Sequence, residues 1–338
     1  MPGLVPVWQG QDHILDLAWS AQGDFLAAAE VSGPIHYLKS GSGVKTWSGH
    51  QLGTTSLGWH PQQPLLASCG QDGRVRLWSP EAMEPQTDTE APDRWCTRLA
   101  WHRKGRWLGV AGGKRVSFYR SDGSLALTSQ PHASTLSDLA WMPHEEICVT
   151  AGYLGLQSWR PDRQEPFKLY HWQGSTTRLA ISPNQHFIAT GDQDRTVHFW
   201  RSKKPSSDDS AMMSGFATKA EQLSWDSESR YLATGGSSDV CLWDCLKPGP
   251  EGRPPKVLKG NPEAFITAVA FQPKGAWLAS GNELGELCLW QHAREQTPIE
   301  QWKLASAVSI LAWSPKGDFL AVGCAQGEIY RLPLTRSS

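Results

Sequence analysis

The sequence predicts an all-β chain built from eight imperfect copies of one antiparallel three-strand unit. Three observations carry this reading. Short apolar runs alternate with turn residues: in the stretch 49–78 the runs 55–59, 65–68 and 74–78 are separated by His60-Pro61 and by Gly70-Gln71-Asp72-Gly73. Runs this short, bounded by Pro, Gly and Asp, are strands rather than helices. An apolar anchor, usually Trp, ends the first strand of every copy: Trp19, Trp59, Trp101, Trp141, Ile181, Trp225, Phe271 and Trp313, spaced by 40 to 46 residues. Two further positions keep step with it. Six residues on stand Phe25, Leu65, Trp107, Ile147, Phe187, Tyr231, Trp277 and Phe319; 18 or 19 residues on stand Tyr37, Trp78, Tyr119, Trp159, Trp200, Trp243, Trp290 and Leu332.

In chain order the units cover about 13–37, 54–78, 95–119, 136–159, 176–200, 220–243, 265–290 and 307–332. Asp72-Gly73 suits a tight hairpin in the second unit, because Gly accepts positive φ and Asp can bond its own backbone. The first unit is the weakest copy: Ala28 stands where others have Ser or Thr, and no Asp turn precedes Ile35. Trp8, Trp47, Trp172 and Trp302 precede units and mark outer strands. Three connections, 79–94, 201–217 and 244–263, are long and rich in Pro, Ser, Gly and charge. They read as solvated loops carrying an irregular outer strand. The alternative for the second is a docking or modification segment around Ser206, Ser207, Asp208, Asp209 and Ser210.

The order Gly49-His50, Ser68, Asp72, Trp78 resembles the WD-repeat signature, and nearly the whole chain resembles the WD-repeat family. The resemblance implies a closed β-propeller of four-stranded antiparallel blades, with all of 1–338 in one domain. It also implies a hydrogen-bonded tetrad of His50, Ser68, Asp72 and Trp78. Such repeats carry the outer strand of one blade and the inner three of the next. Eight copies therefore imply eight blades, with an N-terminal strand at 5–8 closing the last one and removing exposed edges. Seven blades, with one degenerate unit packed elsewhere, is the alternative.

Composition bounds the function. With 32 basic and 33 acidic residues the formal net charge is −1, and no block of like charge stands out. Nucleic acid is disfavoured as a partner; Arg98, Arg103, Lys104, Arg106, Lys114 and Arg115 of the third unit would have to share one face for that alternative to hold. The seven cysteines are odd in number and scattered, which predicts reduced thiols and a cytoplasmic setting. No leader pattern and no apolar run of about 18 residues is present, so neither secretion nor a membrane partner is expected. No nucleophile elbow, phosphate loop, His-Glu-x-x-His or Cys-x-x-Cys occurs; no catalysis, cofactor or metal is expected.

What remains is a set of polar residues three before the anchors: Asp16, Ser56, Arg98, Asp138, Arg178 and Gln222, with Ala268 and Ile310 completing the series. In the implied propeller these lie near the central channel. Asp16, Arg98, Asp138 and Arg178 alternate in sign, as an internal ion-pair network or as one rim of a binding face. The resemblance adds the face bearing the second hairpins, hence Gln71, Tyr153, Gln193 and Glu283. Trp95 has no place in the repeat and is the best exposed aromatic anchor. The sequence thus reads as a non-catalytic scaffold for a protein or peptide partner, as a monomer or within a hetero-complex. The alternatives are a channel enzyme or small-ligand binder, for which Asp16 with Asp138 is the pair to test, and the nucleic-acid scaffold.

Overall fold

The structure, a computed structural model, describes residues 4–39, 43–203, 210–246, 249–291 and 296–334. Every regular element among the described residues is a β-strand. Ser206, Ser207, Asp208 and Asp209 lie outside them.

Seven of the units fold as three antiparallel strands joined by hairpins; in the fourth, a single strand Cys148–Trp159 takes the place of the middle and third strands. The second shows the pattern: innermost strand Thr54–Trp59, middle strand Leu66–Gly70, third strand Arg74–Trp78, then an outer strand Thr87–Glu90 in the long connection. The other two long connections also carry short outer strands, Ala211–Met213 and Lys256–Leu258. Innermost strands pack side by side in chain order, and Val308–Trp313 of the last unit packs against Ile14–Trp19 of the first.

The expectation of eight separate blades is corrected. The strands form seven hydrogen-bonded sheets, six of four strands and one of six. No unit is expelled; the fourth and fifth share one 14-residue strand, Lys168–Ile181. Its first part pairs with Cys148–Trp159 and its second, from Thr176, with Phe187–Asp192. The intervening Gln173-Gly174-Ser175 contains no proline and no Asp-Gly or Asn-Gly to turn the chain, so it runs straight on. The N-terminal strand is also shorter than expected. Trp8–Gln9 pairs with Ile329 and Glu328, while Val5 and Val7 are exposed, and Pro6 has no N–H to extend the ladder.

Side chains join neighbouring units. Indole N–H groups of Trp59, Trp101, Trp141, Trp225 and Trp313 donate to the carbonyls of Ala18, Gly58, Ala100, Ala180 and Ala270 at 2.8–3.1 Å. Trp19 donates to Ala312 at 3.0 Å, across the seam between the chain's two ends. The acceptor always precedes the previous anchor, and it is small because the next unit leans on it: a Cβ at Gly58 would meet Leu99 at 2.8 Å.

A second ring, four residues before the anchors, had no assigned role in the sequence. Thr55 donates to Cys96, Thr97 to Leu136, Ser137 to Thr176, Thr267 to Val308 and Ser309 to Ile14, each a carbonyl of the next unit.

The tetrad forms in full. His50 Nδ1 lies 2.8 Å from Asp72, His50 Nε2 2.7 Å from Ser68 Oγ, and Trp78 donates to Ser68 Oγ at 2.8 Å. In the fifth unit the buried acid is Asp192, 2.9 Å from His198 and bonded to Thr176 at 2.7 Å, while Asp194 in the following turn bonds Thr196. The first unit replaces the motif with Glu30 and His36, paired at 2.8 Å.

Two outcomes test these contacts. Trp59→Phe removes the donor to Ala18 together with part of the buried ring volume, and should cost at least about 1 kcal/mol in urea denaturation; an unshifted midpoint would deny the bond a role. Burial pushes the His132 pKa down to about 4. Below the ordinary value of 6.5 the unfolded chain takes up a proton that the folded chain refuses. Stability attributable to His132 therefore falls as pH drops through that window and levels off below about 4. His132→Gln should flatten that part of the pH–stability curve.

Candidate functional site at the hairpin face

Antiparallel register brings two features to the same end of every sheet: the start of the innermost strand and the hairpin between middle and third strands. One backbone bond ties them together repeatedly. The N–H after the middle strand donates to the carbonyl before the innermost strand in Gln71→Gly53, Gly113→Trp95, Gln193→Ser175 and Glu283→Phe265, at 2.8–3.1 Å. Gln71, Trp95, Gln193 and Glu283 therefore stand at matching places on one rim. Tyr153 joins them by pairing with Ser175.

Trp95 is 55% exposed and Tyr153 48%. The same rim exposes Val31, Leu52, Leu154, Phe265 and Leu284, which sequence reading missed. Their only signal was an apolar side chain in a turn. Leu52 and Leu154 also hold φ of +65° and +72°, a region that bulky residues seldom occupy. Among the described residues, no large exposed apolar side chain lies in the turns between innermost and middle strands, on the opposite face.

The channel candidates divide. Asp16, 6% exposed, accepts from the N–H groups of Leu17 and Leu57 at 3.0 and 2.8 Å and from Ser56 Oγ at 3.2 Å. Asp138, 5% exposed, accepts from Leu139 and Leu179, both at 2.9 Å. Each carboxylate thus caps the channel edge of the next unit's innermost strand, where no strand supplies an acceptor. Arg98 lies between them, 3.9 Å from Asp16 and 3.5 Å from Asp138. Arg178 is not drawn in; it is exposed, and Asp138 takes the N–H of its neighbour Leu179 instead. Glu283 accepts from the Phe265 N–H at 2.9 Å; Gln193 is exposed and Gln71 half-buried.

The chemistry follows from these commitments. Asp16 and Asp138 spend their oxygens on backbone N–H groups rather than on a proton-transfer site. Burial pushes the Cys241 thiol up to about 11 and those of Cys245, Cys288 and Cys324 to about 12, so these stay protonated at neutral pH. All seven cysteines are free. Among the described residues no three His, Cys, Asp or Glu side chains are grouped to hold a metal. The basic residues of the third unit separate: Arg103, Lys104 and Arg106 lie in the turn before Trp107–Gly112, and Lys114 in the turn at that strand's other end, beside Arg115. They do not form one face.

The family model described as WD domain, G-beta repeat, matches residues 41–79, 166–201, 217–244 and 252–291. The chain is a WD-repeat protein. Its WD-repeat relatives include WD repeat-containing protein slp1 of Schizosaccharomyces pombe, 25% identical over 198 residues that make up 55% of this chain and 40% of that one. Protein FIZZY-RELATED 2 of Arabidopsis thaliana is 28% identical over 186 residues, 51% of this chain and 38% of the relative. Telomerase protein component 1 of Rattus norvegicus is 22% identical over 375 aligned positions, 90% of this chain but 14% of the relative. This WD-repeat chain therefore spans well under half the length of these proteins. The crystal structure of the computationally designed Ika8 protein superposes with a TM-score of 0.82 at 19% identity, covering 98% of this chain and 99% of that one.

The two charged positions predict different costs. Asp138→Ala strands the buried Leu179 N–H and should destabilise by about 1–3 kcal/mol. Arg178→Ala should stay within about 0.5 kcal/mol. Guanidinium denaturation of both variants checks this; equal losses would contradict the division.

Proposed function

We propose that this WD-repeat chain is a non-catalytic protein-interaction scaffold whose hairpin face docks a protein or peptide partner. One observation carries the reading: large exposed apolar side chains gather on that rim and are missing, among the described residues, from the innermost-to-middle turns of the opposite face, where only the connections to outer strands expose such groups, at Met83, Leu246 and Ile299. A patch of this kind around a polar centre suits a partner that covers it. Trp95 and Tyr153 are the anchors, since rigid aromatics bury much area at small entropic cost. The supporting ring is built of seven hydrogen-bonded sheets, one of them joining the fourth and fifth units through Lys168–Ile181. A ring tied at every seam would lose little freedom on docking, so more of the contact energy appears as affinity. Work in the cytoplasm, as a monomer or inside a hetero-complex, belongs to the same proposal; a relative named as a telomerase protein component is in keeping with the latter.

Affinity capture from native extract, with wild type and Trp95→Ala/Tyr153→Ala compared at matched melting temperature, tests the face. A partner retained by wild type should fall at least about ten-fold with the double variant. Identical retention by both would move the binding surface elsewhere.

A further inference from the structure

We infer that the channel wall spanning the third to fifth units is a socket for a carboxylate. A cavity of about 350 Å³ opens there, with Arg98, Arg103 and Asp138 in its lining and Leu99, Leu139 and Leu179 among its walls. Two acids and two arginines belong to this region: Asp16, Asp138, Arg98 and Arg103. Their formal charges balance, but their placement does not. Asp16 and Asp138 are buried and turned onto strand-edge N–H groups. The guanidinium of Arg98 lies at 3.9 and 3.5 Å from them, beyond normal hydrogen-bond length, so charge rather than donor geometry holds it. It keeps 39% of its side chain accessible, and Arg178 on the fifth unit is exposed.

The acids are therefore used up and the arginine donors are not. A cation would find the carboxylate oxygens of Asp16 and Asp138 already accepting strand-edge N–H groups. A carboxylate would meet the planar fork of Arg98, which matches it in two hydrogen bonds. Apolar walls close by strengthen that attraction relative to open water. Arg103 is less available, since it already donates to the Pro143 carbonyl and lies 3.0 Å from His144 Nδ1.

The inference deepens the docking proposal and rests on it for one source of the carboxylate, an acidic side chain of the partner; a free small acid is the other source. The test is a titration of the full chain, with ¹⁵N-labelled arginine, at constant ionic strength. The probes are glutarate, the neutral glutaramide, and the blocked peptide acetyl-Gly-Glu-Gly-amide. Arg98→Lys assigns the Arg98 Nε–H signal. That signal should shift saturably with glutarate or the Glu peptide in about the millimolar range, and not with glutaramide or added chloride. Arg98→Lys should weaken the interaction several-fold with an unchanged melt, because an ammonium lacks the fork. A peptide that binds as well as glutarate assigns the socket to a side chain; glutarate binding about ten-fold tighter assigns it to a free acid. No saturable shift with either acid, or equal shifts with the diamide, overturns the socket. The two proposals fail separately. A silent Arg98 signal alongside capture lost in Trp95→Ala/Tyr153→Ala removes only the socket; a responsive signal alongside unchanged capture removes only the face.

Discussion

The innermost strand of each unit has a channel edge with no strand beside it, and the rest of the structure answers that constraint. A free strand edge inside a ring must have its N–H and C=O groups satisfied by side chains or water. The anchoring tryptophans donate backwards to the previous unit, and the hydroxyls four residues earlier donate forwards to the next. Where one device fails, another fills the seam. Leu15 occupies the hydroxyl position in the first unit, and there Asp16 takes the Leu57 N–H instead. Phe271 has no indole N–H, and the residue before the previous anchor is Ser224 rather than Ala or Gly. Its hydroxyl accepts the backbone N–H of Phe271 at 2.9 Å. At this seam a hydroxyl acceptor stands in for the missing indole donor.

The same constraint explains what the sequence could and could not reveal. Anchor positions repeat because each makes the same contact with a neighbour, so periodicity alone recovered all eight units. The fusion of the fourth and fifth units was hidden because it depends on a turn that is missing, and a short Gln-Gly-Ser segment is compatible with bending or running straight. Asp194 sits in a turn like that of Asp72 and so carries the visible sequence signal. In the fold the acid is needed where His198 and Thr176 converge, two residues earlier. The Glu30–His36 pair was invisible for the same reason: a different acid does the motif's work from a different place.

At the candidate site, alternation of sign located Asp16, Arg98 and Asp138 because strand-start positions share one geometry. It did not exclude Arg178, since only the direction of Asp138 toward Leu179 decides that. Trp95 stood out by having no repeat role. Leu52, Leu154, Phe265 and Leu284 did not, because a single apolar residue in a turn is ordinary on protein surfaces. Their meaning comes from gathering on one rim, which no linear pattern reports.

Backbone conformation distinguishes the two faces as well. On the face away from the second hairpins, positive φ at non-glycine residues falls on Gln185 and Ser229, and Ser229 Oγ accepts from the Asn184 N–H. There the Ser229 side chain bonds the neighbouring unit. On the hairpin face the same conformation falls on Arg195, which donates to the Ala217 carbonyl, and on Leu52 and Leu154, whose side chains are exposed. Those leucines have neither local hydrogen bonds nor burial to offset the strained geometry, which for such residues costs of order 1 kcal/mol or more. Folding alone gives no reason for large apolar groups in that conformation on that rim. Contact with a partner does, since it would bury the leucines beside Trp95 and Tyr153 and recover apolar area that the isolated ring leaves in water.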